Sequence, residues 1–225
     1  MSDSVWILIP AYNEGRRLER TLEALRAYRP RIVVVDDGST DDTFDAACRH
    51  TVHVLRHPFN LGQGAALQTA IDYALGQGAV YLVTFDADGQ HSADEIERML
   101  DPARRGAADV VLGSRFLGQA IGISASRRLV LQLGVVFTRI FSKMRVTDTH
   151  NGFRVLTRAA ASQIRLTHNG MAHASELLDQ VRLLGLRYVE VPVTVTYSQD
   201  TTAKGQRSWN ALKIVGQLLL GRMMR

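Results

Sequence analysis

Cysteine is nearly absent from this sequence, which contains only Cys48 among 225 residues. A single thiol excludes an internal disulfide, and so little cysteine is typical of proteins in the reducing cytoplasm. Cys48 falls within a predicted helix, and we interpret it as a small core residue. With 46% hydrophobic residues, the chain can bury a full core as one domain.

Long apolar runs are also missing. The longest candidates, around residues 129–141 and 214–220, are interrupted by glycine and polar residues, so neither predicts a transmembrane helix. The first four residues contain no base, and the apolar run behind them stops at Pro10, so we expect no signal peptide. Both absences favour a cytoplasmic protein.

Acidic residues are absent from two stretches, 127–145 and 203–225, in a chain of formal net charge +5. The basic residues of these stretches are Arg127, Arg128, Arg139, Lys143, Arg145, Lys204, Arg207, Lys213, Arg222 and Arg225. Such asymmetry indicates either a solvated helix face or a polyanionic partner: nucleic acid, anionic lipid headgroups or a phosphate-bearing substrate. Aromatic residues among these bases are sparse and no nucleic-acid-binding motif is present, so we predict that nucleic acid is not the partner.

Short apolar runs alternate with amphipathic segments along the first half of the chain. The predicted strands are 5–9, 31–35, 52–55, 80–85 and 110–113, and the predicted helices are 16–27, 42–49, 64–75 and 92–100. Ser92, followed by Glu95 three residues later, marks the start of the last helix. Near-continuous apolar strands between helices predict an α/β fold, in which a mostly parallel sheet is covered by helices on both faces.

The second half is organised differently. It contains predicted helices at 127–143, 175–184 and 208–223, predicted strands at 152–156 and 188–195, and a polar loop at 199–205. No internal repeat divides the chain. We therefore predict a single domain over residues 1–225, with halves 1–118 and 119–200 and a C-terminal extension, 201–225, that consists of a loop and an amphipathic helix.

The most informative motif follows the predicted strand 80–85. Asp86, Asp88 and Gln90 come at its carboxyl end, the edge at which open α/β sheets bind ligands. Two carboxylates and an amide oxygen suit Mg²⁺ or Mn²⁺, which completes its coordination shell with water and substrate phosphate. An ordinary turn is the simpler alternative. A second alternative is a phosphatase of the haloacid dehalogenase type, although that pattern normally has Thr or Val where Gln90 stands.

Three further loops contain residues that suit a nucleotide. Tyr12 offers a flat face on which a base can stack, and Glu14 can accept hydrogen bonds from ribose or base. Asp37 can accept hydrogen bonds from base N–H groups. Gly62 and Gly64 open a helix whose N-terminus carries partial positive charge. Each segment alone is also explained as a strand end, a capped turn or a glycine-rich helix start.

In this order and spacing, the segments closely resemble the family 2 glycosyltransferases, which have the nucleotide-sugar-binding GT-A fold. Within that family the chain is similar to the dolichyl- or polyprenyl-phosphate hexose synthases. The matching motifs, spread over nearly the whole chain, are Pro10-Ala11-Tyr12-Asn13-Glu14, Val35-Asp36-Asp37-Gly38-Ser39, Gly62-Gln63-Gly64-Ala65, Asp86-Ala87-Asp88-Gly89-Gln90-His91, Gly113-Ser114-Arg115-Phe116, Asp148, Asn151-Gly152-Phe153-Arg154 and Val191-Pro192-Val193. The resemblance implies a Rossmann-like domain that transfers a hexose from a nucleotide-diphosphate sugar, and it disfavours the phosphatase.

The resemblance also implies roles for individual residues. Those implied to bind the nucleotide sugar are Pro10, Ala11, Tyr12, Glu14, Asp37, Gly64, Asp86, Ala87, Asp88 and Arg115. The implied ligands of the Mg²⁺ or Mn²⁺ ion on the diphosphate are Asp86, Asp88 and Gln90. Arg127 and Arg128 would meet the phosphate of a lipid acceptor, and Lys204 and Arg207 are the nearest bases of the loop that closes over it.

The chain departs from the family pattern at three places. Gln63 stands between two glycines where relatives usually have lysine, which removes one possible contact with the diphosphate. Relatives commonly have an arginine shortly after the Val-Pro-Val strand, whereas this chain has Thr196-Tyr197-Ser198-Gln199. No membrane helices follow the predicted domain, unlike in the larger members, which leaves the identity of the acceptor open.

The implied reaction is a single displacement with inversion at the anomeric carbon, with Asp88, Arg115 and Asp148 as candidate catalytic residues. A polyprenyl or dolichyl phosphate is already ionised near neutral pH, whereas a sugar hydroxyl needs a general base. For that base we favour Asp148 over Glu176 and His173. Two alternatives stay open: elongation of a polysaccharide by transfer to a glycan hydroxyl, and a catalytically idle nucleotide-sugar-binding partner of a membrane protein, which the intact D-x-D-x-Q motif disfavours.

The predicted C-terminal helix has a broad apolar face, with Lys213 and Arg225 mostly off it. This pattern is typical of a helix packed on the sheet, and equally of one that lies on an anionic membrane surface or against a small membrane protein. We expect a peripheral protein at the inner face of the cytoplasmic membrane.

Overall fold

The computed structural model describes residues 4–51, 53–141, 144–170 and 172–197. Lys204, Arg207, the predicted loop 199–205 and the predicted helix 208–223 lie outside the described residues. The strands are β1 (Val5–Ala11), β2 (Ile32–Asp36), β3 (His53–Arg56), β4 (Tyr81–Thr84), β5 (Val110–Ile121), β6 (Arg154–Thr157) and β7 (Tyr188–Thr196). The α-helices are α1 (Gly15–Ala24), α2 (Thr43–His50), α3 (Gln63–Gly76), α4 (Ile96–Arg104), α5 (Ala125–Phe141), α6 (Arg158–Ala161) and α7 (His173–Leu183). Short 3-10 helices, Arg26–Arg31 and Ala93–Glu95, precede β2 and α4.

The seven strands form one sheet in the order β3-β2-β1-β4-β6-β5-β7. Among the described strands, β6 alone runs antiparallel to its neighbours, β4 and β5. The chain moves outward from β1 to β3 and then returns to β4 on the other side of β1, so the strand order reverses between β1 and β4. The predicted mostly parallel sheet is confirmed, and the reversal opens a crevice at the carboxyl ends of its central strands.

Successive side chains of the strands face two separate hydrophobic cores, because neighbouring residues of a strand point to opposite faces. On β1, Ile7 and Ile9 pack with residues of α1 and α4, including Leu18 and Met99. Leu8 packs on the opposite face with residues of α3 and α7, including Ile71 and Leu177. Helices therefore cover both faces of the sheet, as the apolar strand pattern predicted.

The longest described helix, α5, has an exposed apolar face. Leu129, Leu133 and Val136 follow the spacing of one helix face and are 58%, 60% and 51% exposed. Two other positions of the same helix, Val135 and Thr138, are buried. Within the described ranges, none of the helices combines the length and the apolar character needed to cross a membrane.

Strand β5 differs most from its prediction. The sequence predicts a strand over 110–113, but β5 continues to Ile121 and pairs with β7 in two registers, with an irregularity between Ser114 and Gln119. A Cβ at Gly118 would lie 2.3 Å from the Val193 carbonyl oxygen, so the close approach of the two strands needs glycine there. The polar and glycine residues that indicated a strand end thus mark a bulge within a longer strand.

Two smaller predictions are wrong. Cys48 is exposed and is not a core residue, because α2 packs on the sheet through Thr43, Ala46 and Ala47 instead. Helix α1 ends at Ala24 rather than at residue 27, and the chain tightens into the 3-10 helix that contains Pro30. Pro30 has no N–H to donate to the carbonyl four residues earlier, at Arg26, so a regular α-helix cannot continue through this segment.

Candidate active site

The carboxyl ends of β1 and β4 lie side by side at the reversal of the strand order. The loop that follows β1 contains Tyr12 and Glu14, and the loop that follows β4 contains Asp86 and Asp88. The residues predicted to bind a nucleotide and those predicted to bind a metal therefore leave adjacent strands at the edge of the sheet that binds ligands in open α/β folds.

The Asp86 carboxylate is partly buried and is held by two other segments. His91 Nε2 lies 3.1 Å from Asp86 Oδ2, and Gln63 Nε2 lies 3.5 Å from Asp86 Oδ1. Burial alone would raise the pKa of Asp86, but the hydrogen bond with His91 and the positive charge of buried Arg154 lower this pKa below its usual range. Asp86 is therefore ionised at neutral pH.

Asp88 has a different electrostatic environment. Its Oδ1 accepts a hydrogen bond from the Gln90 backbone N–H at 3.1 Å. Burial and, next, the negative charge of Asp86 raise the pKa of Asp88 to about 6. The Gln90 carbonyl accepts a hydrogen bond from the Thr196 N–H at 3.0 Å, which attaches this loop to the end of β7. Because two neighbouring carboxylates disfavour each other's ionisation, a cation bound between them would be stabilised by both negative charges.

The donor set of this loop fits Mg²⁺ or Mn²⁺, because Asp86, Asp88 and the Gln90 amide supply hard oxygen atoms. In the part of the chain that the structure describes, no three His, Cys, Asp or Glu side chains form a group that could hold a metal ion. Mg²⁺ is usually bound by one or two carboxylates together with water and substrate phosphates, rather than by a complete protein cage. A site of this composition therefore needs the substrate to complete it.

The loops after β1 and β2 are tied together next to Tyr12. The Asn13 N–H donates to Ser39 Oγ at 2.9 Å, and Asn13 Oδ1 accepts a hydrogen bond from the Thr40 N–H at 2.9 Å. Asn13 has a φ of 54°, a left-handed conformation that asparagine adopts more readily than most residues. The side chain of Tyr12 is left 45% exposed, so its ring is accessible for stacking against a base.

The other residues predicted to contact the nucleotide near β1 lie at the carboxyl end of the strand or next to it. Pro10 and Ala11 are the last two residues of β1, and Ala11 is buried. Ala87, between the two carboxylates of the metal motif, is also buried. The Glu14 N–H donates to Thr43 Oγ1 at 2.8 Å, which fixes the start of α1 against α2.

Asp37 is buried, and both of its carboxylate oxygens accept hydrogen bonds. Oδ1 lies 3.0 Å from the Leu61 N–H nitrogen and 2.7 Å from His57 Nδ1, and Oδ2 lies 2.7 Å from the Gly62 nitrogen. Asp37 thus holds the loop that leads into α3. Its contact with a nucleoside stays a prediction, and such a contact would have to share these bonds or replace one of them.

Gly64 lies beneath the segment 168–170. Its N–H donates to the Asn169 carbonyl at 2.7 Å, and a Cβ on Gly64 would lie 2.1 Å from the His168 carbonyl oxygen. A Cβ on Gly62, whose φ is 103°, would lie 2.3 Å from the Asn169 oxygen. The start of α3, predicted to meet the diphosphate, is therefore covered in this structure, and a donor contact at Gly64 requires segment 168–170 to move away.

Arg115 and Asp148, both predicted to be catalytic, form one buried ion pair. Arg115 Nε donates to Asp148 Oδ2 at 2.6 Å, and the Arg115 backbone N–H donates to the same oxygen at 3.0 Å. Arg115 Nη1 also donates to the Tyr197 hydroxyl. Asp148 thus holds the Arg115 guanidinium, and service as a general base would require this pair to break.

Arg127, at the start of α5, approaches the same tyrosine from another side. Its guanidinium carbon lies 4.8 Å from the centroid of the Tyr197 ring, within the range of a cation–π interaction. The neighbouring Arg128 is exposed. Two of the arginines predicted to meet phosphates, Arg115 and Arg127, therefore share Tyr197 as a neighbour.

Among the residues that contribute to the site without having been assigned a role from the sequence are His91, Glu190 and Tyr197. The Glu190 carboxylate accepts hydrogen bonds from the Thr147 and Asp148 backbone N–H groups, at 2.8 and 3.1 Å. Glu190 lies within the alternating apolar residues of the strand 188–195. An acidic residue at such a place was the one sequence signal that could have indicated its role. The contacts of Tyr197 join segments far apart in the chain, and no local pattern indicates them.

Comparisons with known proteins agree with this arrangement. The sequence profile described as glycosyl transferase family 2 matches residues 6–165. The chain is 34% identical over 202 residues to an undecaprenyl-phosphate mannosyltransferase of Micrococcus luteus, covering 84% of this chain and 82% of that protein. It is 32% identical over 203 residues to a polyprenol monophosphomannose synthase of Mycolicibacterium smegmatis, covering 84% and 76%.

The fold resembles that of glucosyl-3-phosphoglycerate synthase of Mycobacterium tuberculosis, with a TM-score of 0.70, 19% identity and coverage of 95% of this chain and 78% of that one. That structure is a complex with Mn²⁺ and UDP-glucose. The chain belongs to glycosyl transferase family 2, and its sheet and helices form the GT-A fold. The family predicted from the motifs is confirmed, and both relatives carry names of its polyprenyl-phosphate branch.

Gly152 controls the position of the Asp86 carboxylate. A Cβ on Gly152 would lie 2.3 Å from Asp86 Oδ2 and 2.4 Å from Oδ1, so Gly152→Ala must displace the carboxylate. Because a displacement of about 1 Å can cost roughly 10²-fold, we expect a comparable loss in kcat/KM for the nucleotide sugar. Gly76→Ala, where the added Cβ has no neighbour within 4 Å, is the matched control and should leave activity unchanged. Equal activity of both variants would contradict the placement of Asp86 at the reacting diphosphate.

Proposed function

We propose that this glycosyltransferase moves a hexose from a nucleotide-diphosphate sugar to a polyprenyl or dolichyl phosphate, with Mg²⁺ or Mn²⁺ and with inversion at the anomeric carbon. Two relatives that cover most of the chain are named for mannose transfer to such lipids. The structural relative named above was crystallised with Mn²⁺ and a UDP-sugar, and also with Mg²⁺ and UDP. These names and complexes support the choice of donor, acceptor and metal.

The observation that carries the proposal is the connection of two arginines to the metal motif through Thr196 and Tyr197. Arg115 and Arg127 both contact Tyr197. The preceding residue, Thr196, donates its N–H to the carbonyl of Gln90. Transfer between two phosphates brings together the charges of the leaving diphosphate and the attacking phosphate, and fixed cations at that point stabilise both.

A lipid acceptor also requires apolar surface beside its phosphate site. The exposed face of α5, formed by Leu129, Leu133 and Val136, follows Arg127 and Arg128 on the same helix. No acidic residue occurs between Asp109 and Asp148 in the sequence, so this surface suits an anionic membrane. We therefore propose that the enzyme acts peripherally at the inner face of the cytoplasmic membrane, with α5 as one point of contact.

The chemistry follows from the residues present. Asp86, Asp88 and Gln90 would hold the divalent ion, which when bound offsets the charge of the departing nucleoside diphosphate. Arg115, fixed by Asp148, presents a positive charge to phosphate. An ionised lipid phosphate is itself the nucleophile, so no general base is needed. Asp148 therefore fits better as the partner of Arg115 than as the base predicted for a hydroxyl acceptor.

The test is a transfer assay with radiolabelled nucleotide sugars, Mg²⁺ or Mn²⁺, and a polyprenyl phosphate in detergent. We expect the label to move into the butanol phase, and mass spectrometry to identify a hexosyl phosphate lipid. The label should remain in water when the divalent ion is chelated. Transfer only to a glycan hydroxyl, with the product in the aqueous phase, would instead support polysaccharide elongation. Binding of the sugar nucleotide without transfer to either acceptor would support the catalytically idle partner.

The raised pKa of Asp88 predicts a pH dependence of metal binding. Asp88 carries its proton below a pH of about 6 and is ionised above it. A metal must displace that proton at low pH, so the apparent affinity for Mn²⁺ with nucleotide should fall about tenfold for each pH unit below 6 and level off above it. Calorimetric titration with Mn²⁺ and nucleoside diphosphate between about pH 5 and pH 8 measures this apparent affinity. A flat profile would exclude Asp88 as a ligand that titrates in this range.

A further inference from the structure

Tyr197 makes two contacts of different kinds with two arginines. Its hydroxyl accepts a hydrogen bond from Arg115 Nη1, and its ring lies beneath the Arg127 guanidinium carbon, 4.8 Å from the centroid. The side chain of Tyr197 is 7% exposed, whereas Arg127 is half-buried. The hydroxyl and the ring can therefore be removed separately by substitution.

The backbone of Tyr197 is fixed on both sides. Its N–H donates to the Ile121 carbonyl at 2.9 Å. A Cβ on Gly122, whose φ is 75°, would lie 2.6 Å from the Tyr197 carbonyl oxygen, so only glycine allows this approach. The preceding residue, Thr196, is bonded to the metal-motif loop through Gln90. Tyr197 thus stands between the donor loop and the first turn of α5.

We propose that Tyr197 is a positioning residue that orients Arg115 and Arg127 as one unit for the two phosphates of the reaction. This inference rests on the proposed function. Arg115, held by Asp148 and the Tyr197 hydroxyl, serves the transfer step. Arg127, held over the ring, serves acceptor binding. Relatives usually have an arginine shortly after this strand. This chain has Tyr197 there, and the tyrosine orients arginines from other segments of the chain.

Separate substitutions distinguish the two contacts. Tyr197→Phe keeps the ring and loses the hydroxyl, so we expect kcat to fall about tenfold with the acceptor KM changed less than about twofold, as for loss of a hydrogen bond to a charged group. Tyr197→Leu loses both contacts, so we expect the same fall in kcat together with an acceptor KM raised about fivefold. Tyr28→Phe, which removes a hydroxyl that donates to the exposed Glu97 at 3.0 Å, is the control and should change neither constant.

A double-mutant cycle tests whether Arg127 acts through the ring. The effects of Arg127→Ala and Tyr197→Leu on the acceptor KM should fail to add, because either change removes the same contact. The effects of Arg127→Ala and Tyr197→Phe should add. Unchanged kcat in Tyr197→Phe, or additive effects of Arg127→Ala and Tyr197→Leu, would overturn the proposal.

Arginine side-chain NMR provides a readout that does not depend on activity. The Arg127 side-chain protons should be shifted upfield by the Tyr197 ring in the wild type and in Tyr197→Phe, but not in Tyr197→Leu. The Arg115 Nη1 protons should exchange faster with solvent in Tyr197→Phe than in the wild type, because Nη1 is the nitrogen that donates to the Tyr197 hydroxyl. If the wild type transfers sugar to no polyprenyl phosphate, the proposed function fails, and these signals still decide whether Tyr197 orders the two arginines. Absence of both signals in the wild type would overturn the arrangement itself.

Discussion

Asp88→Asn is expected to lose at least about 10²-fold in kcat/KM while its free energy of unfolding stays close to that of the wild type. The Asp88 carboxylate is a predicted metal ligand in an unfavourable environment for its own charge, since burial and Asp86 raise its pKa to about 6. The amide of asparagine is a weaker ligand for a hard divalent ion, so the charge of the departing diphosphate is no longer offset. Steady-state kinetics at saturating acceptor, with chemical denaturation as the stability measurement, test both parts.

Two companion variants test whether the loss of activity in Asp88→Asn comes from the metal site. Gln90→Ala should also lose most of the activity, because it removes the third predicted ligand while its backbone bonds to Asp88 and Thr196 remain. Asp101→Asn, at an exposed aspartate of α4 that pairs with Arg105, is the matched control and should behave as the wild type. Calorimetry should show Mn²⁺ binding with nucleotide in the control and not in Asp88→Asn. Full activity of Asp88→Asn in the presence of a chelator would end the metal hypothesis.

The alternation of strands with helices and the place of the metal motif follow from local patterns in the sequence. Residues 80–85 are apolar apart from Thr84 because β4 is buried on both faces from Leu82 onward, and the first carboxylate, Asp86, comes directly after the buried Phe85. The alternation of such runs with helices is enough to predict a parallel sheet. The motif positions then follow, since the carboxyl ends of parallel strands meet at one edge.

The partners of the candidate residues were not predictable in the same way. Asp37 and Gly64 were assigned to the nucleotide, yet Asp37 accepts bonds from the loop before α3, and Gly64 lies beneath Asn169. Both contacts depend on how loops distant in sequence pack, and a single sequence contains no periodic signal for such packing. The predicted end of β5 was wrong for a related reason. Gly118 indicates a strand end in the sequence, and only the close packing of β7 shows that it lies within a strand.

Arg115→Met is expected to lower the free energy of unfolding by about 3–5 kcal/mol, because it leaves the Asp148 carboxylate buried without its partner. Both side chains are almost fully buried, at 7% and 1% exposure. Arg165→Met is the matched control: Arg165 pairs with Asp72 at 3.0 Å, but the two side chains are 59% and 56% exposed, so the change should be below about 1 kcal/mol. Denaturant unfolding of both variants measures the difference, and equal small losses would show that the buried pair contributes no more than a surface pair.

A double variant separates the structural role of Arg115 from its role in the reaction. Arg115→Met with Asp148→Asn removes both charges of this buried pair. An asparagine oxygen at position 148 can still accept a hydrogen bond from the backbone N–H of residue 115, which lies 3.0 Å from Asp148 Oδ2 in the wild type. Most of the lost stability should therefore return, since a buried pair replaced by neutral groups is often close to neutral in free energy. Transfer activity should not return, because the positive charge that we propose Arg115 presents to phosphate is still missing. Recovery of activity together with stability would show instead that Arg115 serves the fold alone, and that another cation meets the phosphates.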